Sequence, residues 1–192
     1  MQNIVLSNEQ IQDICKRVGK EVSDALRNEE RIPILVGVLK GSLNFMLDLM
    51  KYIDVTFFTD YVQISSYKKT TRMDTVRLVK DISFDCYNRT IVVVEDIVDT
   101  GYSMAYLINH FKIHNPKRVL VCTMFDKRLA RIKEVPIDFC GYVLENNRFL
   151  IGYGLDYNEL ERNLPYVYEA DAEEVRRLDA IAEKDELKET EN

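Results

Sequence analysis

Three acidic residues lie close together directly after a short apolar run. Residues 91–94 are all β-branched and apolar, and the acids that follow are Glu95, Asp96 and Asp99. Such a run is typical of a strand buried on both faces. Neighbouring carboxylates can bind a divalent cation, and they can also accept hydrogen bonds from sugar hydroxyls. The pattern predicts a metal and sugar site at a strand end, although two solvated acids would also explain Glu95 and Asp96 taken alone.

The turn after these acids has the composition of a phosphate site. Residues 100–103 read Thr-Gly-Tyr-Ser, and apolar residues at helical spacing follow them at Met104, Leu107, Ile108 and Phe111. The first amides of a helix have no acceptor within the helix, and the helix dipole favours an anion there. The lysine and spacing of a Walker loop are absent. Asp99 could cap this helix or act as a base toward a reacting nitrogen.

Strand-like and helix-like segments alternate around this stretch. Helical periodicity predicts helices from Ser7, with Gln10 completing a capping box, to about Arg27, at 43–50, and from Met104 onward. Apolar runs or alternations predict strands at 33–39, 55–64, 75–81, 91–94, 118–125 and 137–144. This alternation predicts an α/β fold with right-handed crossovers and an open, mostly parallel sheet.

Polar clusters fall at the carboxyl ends of three of these strands, at 40–41, 95–103 and 126–127. Open parallel sheets bind their ligands at that edge. Residues 65–75 are polar, basic and aperiodic, which fits a solvated loop or a mobile lid. From Asp171 onward the chain is highly charged, which predicts a weak helix or a solvated tail.

The overall composition limits the classes of function. The 192 residues are 46% apolar and 30% charged, which predicts one soluble domain with a small appendage. A net charge of −6 argues against nucleic acid or an anionic membrane as a partner. We expect a cytoplasmic protein, because neither a signal peptide nor a long apolar window is present. With two histidines and no Cys-x-x-Cys pair, no zinc site is expected, and free thiols are expected at Cys15, Cys86, Cys122 and Cys140.

Residues 95–101, Glu-Asp-Ile-Val-Asp-Thr-Gly, resemble the phosphoribosyl pyrophosphate signature of type I phosphoribosyltransferases. The acid spacing is similar to that of the 6-oxopurine branch, the hypoxanthine-guanine phosphoribosyltransferases. Other segments resemble the same family in the same order: a pyrophosphate loop at 36–42, a flexible-loop start at 65–67, a purine-contacting lysine segment at 125–127, and a hood strand at 149–157. The resemblance covers about residues 33 to 168, and the set is much more specific than any one motif.

The resemblance implies a fold and a reaction. The fold would be α/β, the type I phosphoribosyltransferase fold, with a mostly parallel central sheet flanked by helices. Residues 1–170 would form one domain whose small hood uses the N-terminal segment and about 145–170, and 171–192 would be a charged helix or tail. The reaction would transfer phosphoribose from phosphoribosyl pyrophosphate to hypoxanthine or guanine, with Mg²⁺, giving IMP or GMP and pyrophosphate. A homodimer or homotetramer is implied as well.

The resemblance also implies roles for the central acids and the turn. Glu95 and Asp96 would bind ribose hydroxyls directly or through Mg²⁺, and Asp99 would be the base toward the imidazole nitrogen of the purine. The 5′-phosphate would be held by the amides and hydroxyls of Asp99, Thr100, Gly101, Tyr102 and Ser103. Tyr102 stands where smaller or straight-chain residues are common in the family. We therefore expect its backbone to serve and its ring to point away.

Further roles are implied outside the central turn. Lys127 would donate to the 6-oxo group, Phe149 would stack on the purine, and Leu150 would offer backbone groups to the purine edge. Asp156 would hold a second Mg²⁺ through water. Pyrophosphate binding is implied for Lys40, Gly41 and Arg162, and a lid role for Ser66 and Tyr67. A strained or cis peptide is implied between Leu39 and Lys40.

Two other functions are compatible with parts of this pattern. One is a nucleotide-sensing regulator on the same fold that binds RNA, but its basic face is not expected at a net charge of −6. The intact Asp99 also argues against a regulator, which needs no catalytic base. The other is a transferase for xanthine alone, and Lys127 does not decide this because it suits any 6-oxopurine.

Overall fold

The computed structural model describes residues 3–67 and 75–190, which form two compact units. The larger unit is Gln12–Asn147, and the smaller unit joins Met1–Ile11 to Arg148–Asn192. None of the helices in the described ranges is both long and apolar enough to cross a membrane.

The larger unit contains a six-stranded sheet. In chain order its strands are β2 (Ile34–Leu39), β3 (Phe58–Tyr67), β4 (Thr75–Lys80), β5 (Thr90–Val98), β6 (Arg118–Asp126) and β7 (Phe139–Val143), after β1 (Asn3–Leu6) of the smaller unit. The spatial order is β4-β3-β2-β5-β6-β7. Every neighbouring pair is parallel except β3 with β4. The α/β class and the mostly parallel sheet are therefore confirmed.

Helices pack on this sheet because its central strands are apolar on both faces. The helices are α1 (Asn8–Leu26), α2 (Leu43–Met50) and α3 (Tyr102–Lys112), with a 3-10 turn at Arg128–Ala130. Ile34 and Ile91 pack in the cluster that contains the buried residues of α3, while Leu35 and Val92 are equally buried and point to the opposite face because side chains alternate along a strand. α2 lies against β2 and β5, and α3 against β4 and β6.

Some element boundaries differ from the prediction. β5 extends to Val98, so Glu95 and Asp96 lie inside the strand and not after it. The reason is that β6 continues to pair with β5 up to Val98 and Asp126. β3 begins three residues later than predicted, at Phe58, and the strand β1 was missed. The capping box at α1 is present, since Ser7 N–H donates to Gln10 Oε1 at 2.8 Å and Gln10 N–H to Ser7 Oγ at 3.3 Å.

The smaller unit is an antiparallel sheet with a long C-terminal helix. The sheet order is β1-β9-β8, with β8 at Leu150–Ile151 and β9 at Val167–Glu169. The helix α4 spans Ala172–Thr190, so the charged segment is helical along most of its length. Leu178 of α4 is fully buried against Ile151 and Tyr168. One face of this helix therefore belongs to the folded unit.

Candidate active site

The two adjacent acids of β5 form a carboxyl pair in which Glu95 is buried and Asp96 is half-buried. Glu95 is 9% exposed, and its Oε1 accepts the backbone N–H of Asp96 at 3.2 Å. Burial raises the pKa of Glu95 well above its usual range, and the neighbouring charge of Asp96 raises it further. Two carboxyl groups this close cannot both ionise cheaply unless a cation or several hydrogen-bond donors lie beside them.

The loop after β2 lies directly against this pair. A Cβ atom on Gly41 would fall 1.9 Å from Asp96 Oδ2, so a side chain at this position would force the Asp96 carboxylate to move. Lys40 beside it is exposed. The peptide bond between Leu39 and Lys40 is cis, as the resemblance implies. The carboxyl ends of β2 and β5 therefore bring the predicted pyrophosphate loop and the acid pair together.

The turn between β5 and α3 is shaped by a glycine. Gly101 is the N-cap of α3 with φ +87°, a conformation that side chains rarely adopt, and a Cβ there would lie 2.1 Å from the Lys133 carbonyl oxygen. The first turn of α3 contains no acidic residue that could occupy its amides. Tyr102 is the first helical residue and its side chain is 37% exposed. The turn has the features of an anion-binding helix start.

Asp99 and Lys127 lie at the ends of two neighbouring strands. Lys127 Nζ is 3.9 Å from Asp99 Oδ2, and the Lys127 backbone N–H donates to the Val98 carbonyl at 3.0 Å. The Asp99 side chain is 48% exposed and that of Lys127 is 14% exposed. A proton acceptor and a cationic donor thus stand side by side next to the phosphate-type turn.

Arg131 is a site residue that sequence reasoning missed. Its Nε donates to the Asp99 carbonyl at 2.9 Å, and one of its terminal nitrogens donates to the Val98 carbonyl at 3.0 Å and to Asp126 Oδ1 at 2.6 Å. The Arg131 and Asp126 side chains are only 7% and 3% exposed. The one signal in the sequence is a strand-end acid followed by arginines at 128 and 131, which is weak because the segment has no periodicity.

Four predicted site residues belong to the smaller unit. Phe149 is 47% exposed and lies edge-on to Tyr157 at 5.8 Å between ring centroids. Leu150 is buried in β8. Asp156 and Arg162 were assigned to different ligands, and they form an ion pair with each other at 2.8 Å. Arg162 also donates to the Gly154 carbonyl at 2.7 Å.

The predicted lid falls at the hairpin of β3 and β4. Ser66 and Tyr67 are the last residues of β3 and are in register with Val76 and Thr75 of β4. The rest of the predicted loop, residues 68–74, lies outside the described residues.

Comparison with known proteins agrees with this geometry. The family of phosphoribosyl transferase domains matches residues 1–158. A hypoxanthine-guanine phosphoribosyltransferase of Streptococcus mutans is 38% identical over 168 residues, which are 87% of this chain and 92% of the relative. A bifunctional protein TilS/HprT of Listeria monocytogenes is 37% identical, and this chain spans 26% of its length.

A solved structure gives the same result at the level of the fold. The crystal structure of a hypoxanthine phosphoribosyltransferase from Staphylococcus aureus superposes with a TM-score of 0.84 at 32% identity, covering 90% of this chain and 93% of that one. The fold is therefore the type I phosphoribosyltransferase fold, and the chain belongs to the phosphoribosyltransferase family, in its hypoxanthine-guanine branch.

Proposed function

We propose that this protein is a purine salvage enzyme that transfers phosphoribose from phosphoribosyl pyrophosphate to hypoxanthine or guanine. The observation that carries the proposal is the shared edge of β2, β5 and β6. There a phosphate-type turn, the Glu95–Asp96 pair and the Asp99–Lys127 pair lie next to one another. The names of the relatives support hypoxanthine and guanine as the acceptor bases.

Asp99 and Lys127 suit the purine half of the reaction. A bond forms between a purine imidazole nitrogen and the sugar C1, while the bond from C1 to the pyrophosphate oxygen breaks. The nitrogen loses its proton, and we assign Asp99 as the acceptor, since its carboxylate is half-exposed at the site. Lys127, 3.9 Å away, donates to the 6-oxo group of the base and so fixes its orientation.

The backbone suits the two phosphate groups. The amides at the start of α3, around Gly101, bind the 5′-phosphate, and no first-turn acid competes for them. Leaving pyrophosphate gains negative charge as the bond breaks. We propose that Lys40 and the loop at Gly41 stabilise this negative charge, because the loop contacts Asp96 at the sugar site.

The acid pair fits a divalent cation. Glu95 is held with a raised pKa by burial and by Asp96, and a hard cation with a preference for oxygen ligands would relieve both effects. We propose that Glu95 and Asp96 hold Mg²⁺ or the ribose hydroxyls. When bound there, Mg²⁺ would neutralise charge on the pyrophosphate and so favour its departure.

For the smaller unit we propose the role of the hood. Phe149 offers an exposed ring face for stacking on a purine, and Leu150 offers backbone groups. Asp156 would hold a second Mg²⁺ through water, and Arg162 would bind pyrophosphate after leaving its ion pair with Asp156. A lid role for Ser66 and Tyr67, a homodimer or homotetramer, and a cytoplasmic location complete the proposal on the basis of the family alone.

A base panel tests the proposal. Purified protein is given Mg²⁺, phosphoribosyl pyrophosphate and either hypoxanthine, guanine, xanthine or adenine, and nucleotide and pyrophosphate are measured. We expect IMP and GMP, each with one equivalent of pyrophosphate. No nucleotide from any base would refute the proposal, and nucleotide from xanthine alone would leave a transferase with a different acceptor.

The Asp99→Asn variant serves as the mechanistic control in this panel. We expect turnover to fall by about 10²- to 10⁴-fold, the usual contribution of a positioned base. Nucleotide binding should change much less, since the 5′-phosphate contacts are backbone groups. Equal losses in turnover and in binding would exclude the role of Asp99 as base.

A further inference from the structure

The only two histidines of the chain meet at the end of α3. His110 lies in the last turn of the helix, and His114 follows it by four residues. Asp81, the residue directly after β4, lies beside them. One ligand atom from each of the three side chains lies within 4.8 Å of the other two. Their separation in the sequence concealed this cluster, because Asp81 and His110 are brought together only by the packing of α3 on β4.

Two of the three side chains are already oriented. His110 Nε2 lies 2.8 Å from Asp81 Oδ2, and the His110 side chain is only 15% exposed. Its ring stacks on Tyr106 at 6.3 Å and meets Phe111 edge-on at 5.5 Å. The other carboxylate oxygen of Asp81 accepts the Ile82 backbone N–H at 2.8 Å. Such contacts around ligand side chains fix their geometry before an ion arrives.

The third side chain is free to complete the cluster. The His114 side chain is exposed, and its ring centroid lies 5.5 Å from that of His110. His110 and Asp81 alone are an ordinary hydrogen-bonded pair, which needs no third side chain. Because His114 also lies within reach, the cluster offers three ligand atoms to one ion.

The neighbouring Cys86 thiol is not expected to be a further ligand. Burial raises the pKa of the neighbouring Cys86 thiol to about 11, and the carboxylates of Asp81, Asp85 and Asp60 raise it as well. The raised pKa keeps Cys86 a neutral thiol at neutral pH, and a neutral thiol is a poor metal ligand.

We propose that Asp81, His110 and His114 bind a divalent transition metal, with Zn²⁺ as the preferred ion and a water as the fourth ligand. Bonds of about 2.0–2.1 Å in a tetrahedron place ligand atoms roughly 3.4 Å apart. The cluster spans separations from 2.8 Å to at most 4.8 Å, so small side-chain rotations produce this geometry. Two imidazoles select zinc-like ions over Mg²⁺, so this site and the carboxyl pair at Glu95 take different metals.

The position gives the ion a structural consequence. The helix α3 starts at the phosphate-type turn and has His110 in its last turn, and β4 runs from Thr75 to the residue before Asp81. A bound ion would cross-link the end of this helix to the end of this strand. Because the ion binds the folded state and not the unfolded chain, it should raise the melting temperature.

Metal titration of untagged, chelator-treated protein tests the proposal. Zn²⁺ is titrated against a chromophoric chelator, and Co²⁺ binding is followed by its visible absorption. We expect one Zn²⁺ per chain with a Kd below ~10 μM. His114→Ala should weaken binding more than about tenfold, and loss of both histidines should abolish it. Asp81→Asn should also weaken binding, although it keeps the oxygen that accepts the Ile82 N–H.

Asp85→Asn is the matched control, since it removes a nearby exposed acid that is not in the cluster, and its Zn²⁺ affinity should equal that of the wild type. The Co²⁺ spectrum should lack the strong charge-transfer band of a thiolate ligand. Absence of Zn²⁺ binding, or equal affinity in the wild type and His114→Ala, would overturn the proposal. His114 is exposed, so its loss leaves the fold intact and the comparison interpretable.

Discussion

Glu95 is the residue whose effect on stability is most directly linked to its proposed function. It is 9% exposed within a hydrogen-bonded strand, a place where an ionised side chain is unfavourable. Burial and the charge of Asp96 raise its pKa, so between the usual glutamate pKa and the folded value the folded protein holds a proton that the unfolded chain loses. Two neighbouring acids at this position do not stabilise the fold. They suit a cation site, because a bound cation favours the ionised form of Glu95.

We predict that Glu95→Gln stabilises the metal-free protein at neutral pH. The folded pKa is raised, so the free energy of unfolding falls as pH rises from the usual glutamate pKa through the folded value. The gain in the variant should grow as pH rises above the usual glutamate pKa, and it should vanish near pH 4. Urea unfolding at several pH values, without and with Mg²⁺, measures it.

Glu145→Gln, at an exposed glutamate of the same unit, is the control and should leave the pH profile unchanged. Added Mg²⁺ should stabilise the wild type more than Glu95→Gln. A variant that is less stable than the wild type at pH 8 would show that Glu95 is ionised and satisfied without a cation.

At the scale of elements, the segment after β6 donates hydrogen bonds to the backbone of the turn between β5 and α3. The Thr100 carbonyl accepts backbone N–H groups from Ile132 at 3.0 Å and Lys133 at 2.9 Å. Arg131 adds its contacts to the Val98 and Asp99 carbonyls. The backbone that binds the 5′-phosphate in our proposal therefore owes its position to three consecutive residues that take no part in the chemistry.

We predict that Arg131→Ala destabilises the protein by about 3 kcal/mol, the low end of the cost of removing one partner of a buried ion pair. Asp126, whose side chain is 3% exposed, would lose its buried partner and keep only the exposed Arg128. Arg128→Ala is the matched control. Arg128 also contacts Asp126, at 2.8 Å, but its side chain is 67% exposed, so its loss should be nearly silent. Thermal unfolding compares the two variants.

Arg131→Lys separates stability from positioning. A lysine keeps the charge opposite Asp126 but lacks the planar fork that reaches two carbonyls. We expect stability to recover in part, while the KM for phosphoribosyl pyrophosphate stays several-fold above that of the wild type. A KM equal to the wild-type value would show that Arg131 only stabilises the fold.

At the scale of the whole molecule, the sheet and its functional edge were predictable and several contacts were not. A buried strand such as β5 is predicted by its run of β-branched residues. Parallel strands place their carboxyl ends at one edge of the sheet, so the local pattern predicted that Gly41, Asp96 and Asp99 lie close together. The Asp156–Arg162 ion pair, the support from Arg131 and the cluster at His114 depend on how distant segments pack. Local sequence contains no comparable signal for them.

The C-terminal segment shows the same limit, because its composition indicated a weak helix or a solvated tail. α4 is mostly charged, yet Leu178 is fully buried, and Arg177 lies between Glu161 and Glu174 in ion pairs. Tyr168 donates its hydroxyl to Glu161 at 2.5 Å. Burial and these carboxylates raise the pKa of the Tyr168 hydroxyl, which therefore remains a donor at neutral pH. Leu178 and this polar network thus pack the helix against the rest of the smaller unit.

We predict that Leu178→Ala destabilises the smaller unit by about 2–5 kcal/mol, the usual cost of an alanine cavity in a core. The reason is its complete burial against Ile151 and Tyr168. Ile181→Ala is the matched control on the same helix, and at 44% exposure its loss should cost about 0.5 kcal/mol or less. Hydrogen exchange of the amides in β8, β9 and α4 measures the local effect. Unchanged protection in Leu178→Ala would mean that the helix contributes nothing to the unit, as a solvated tail would.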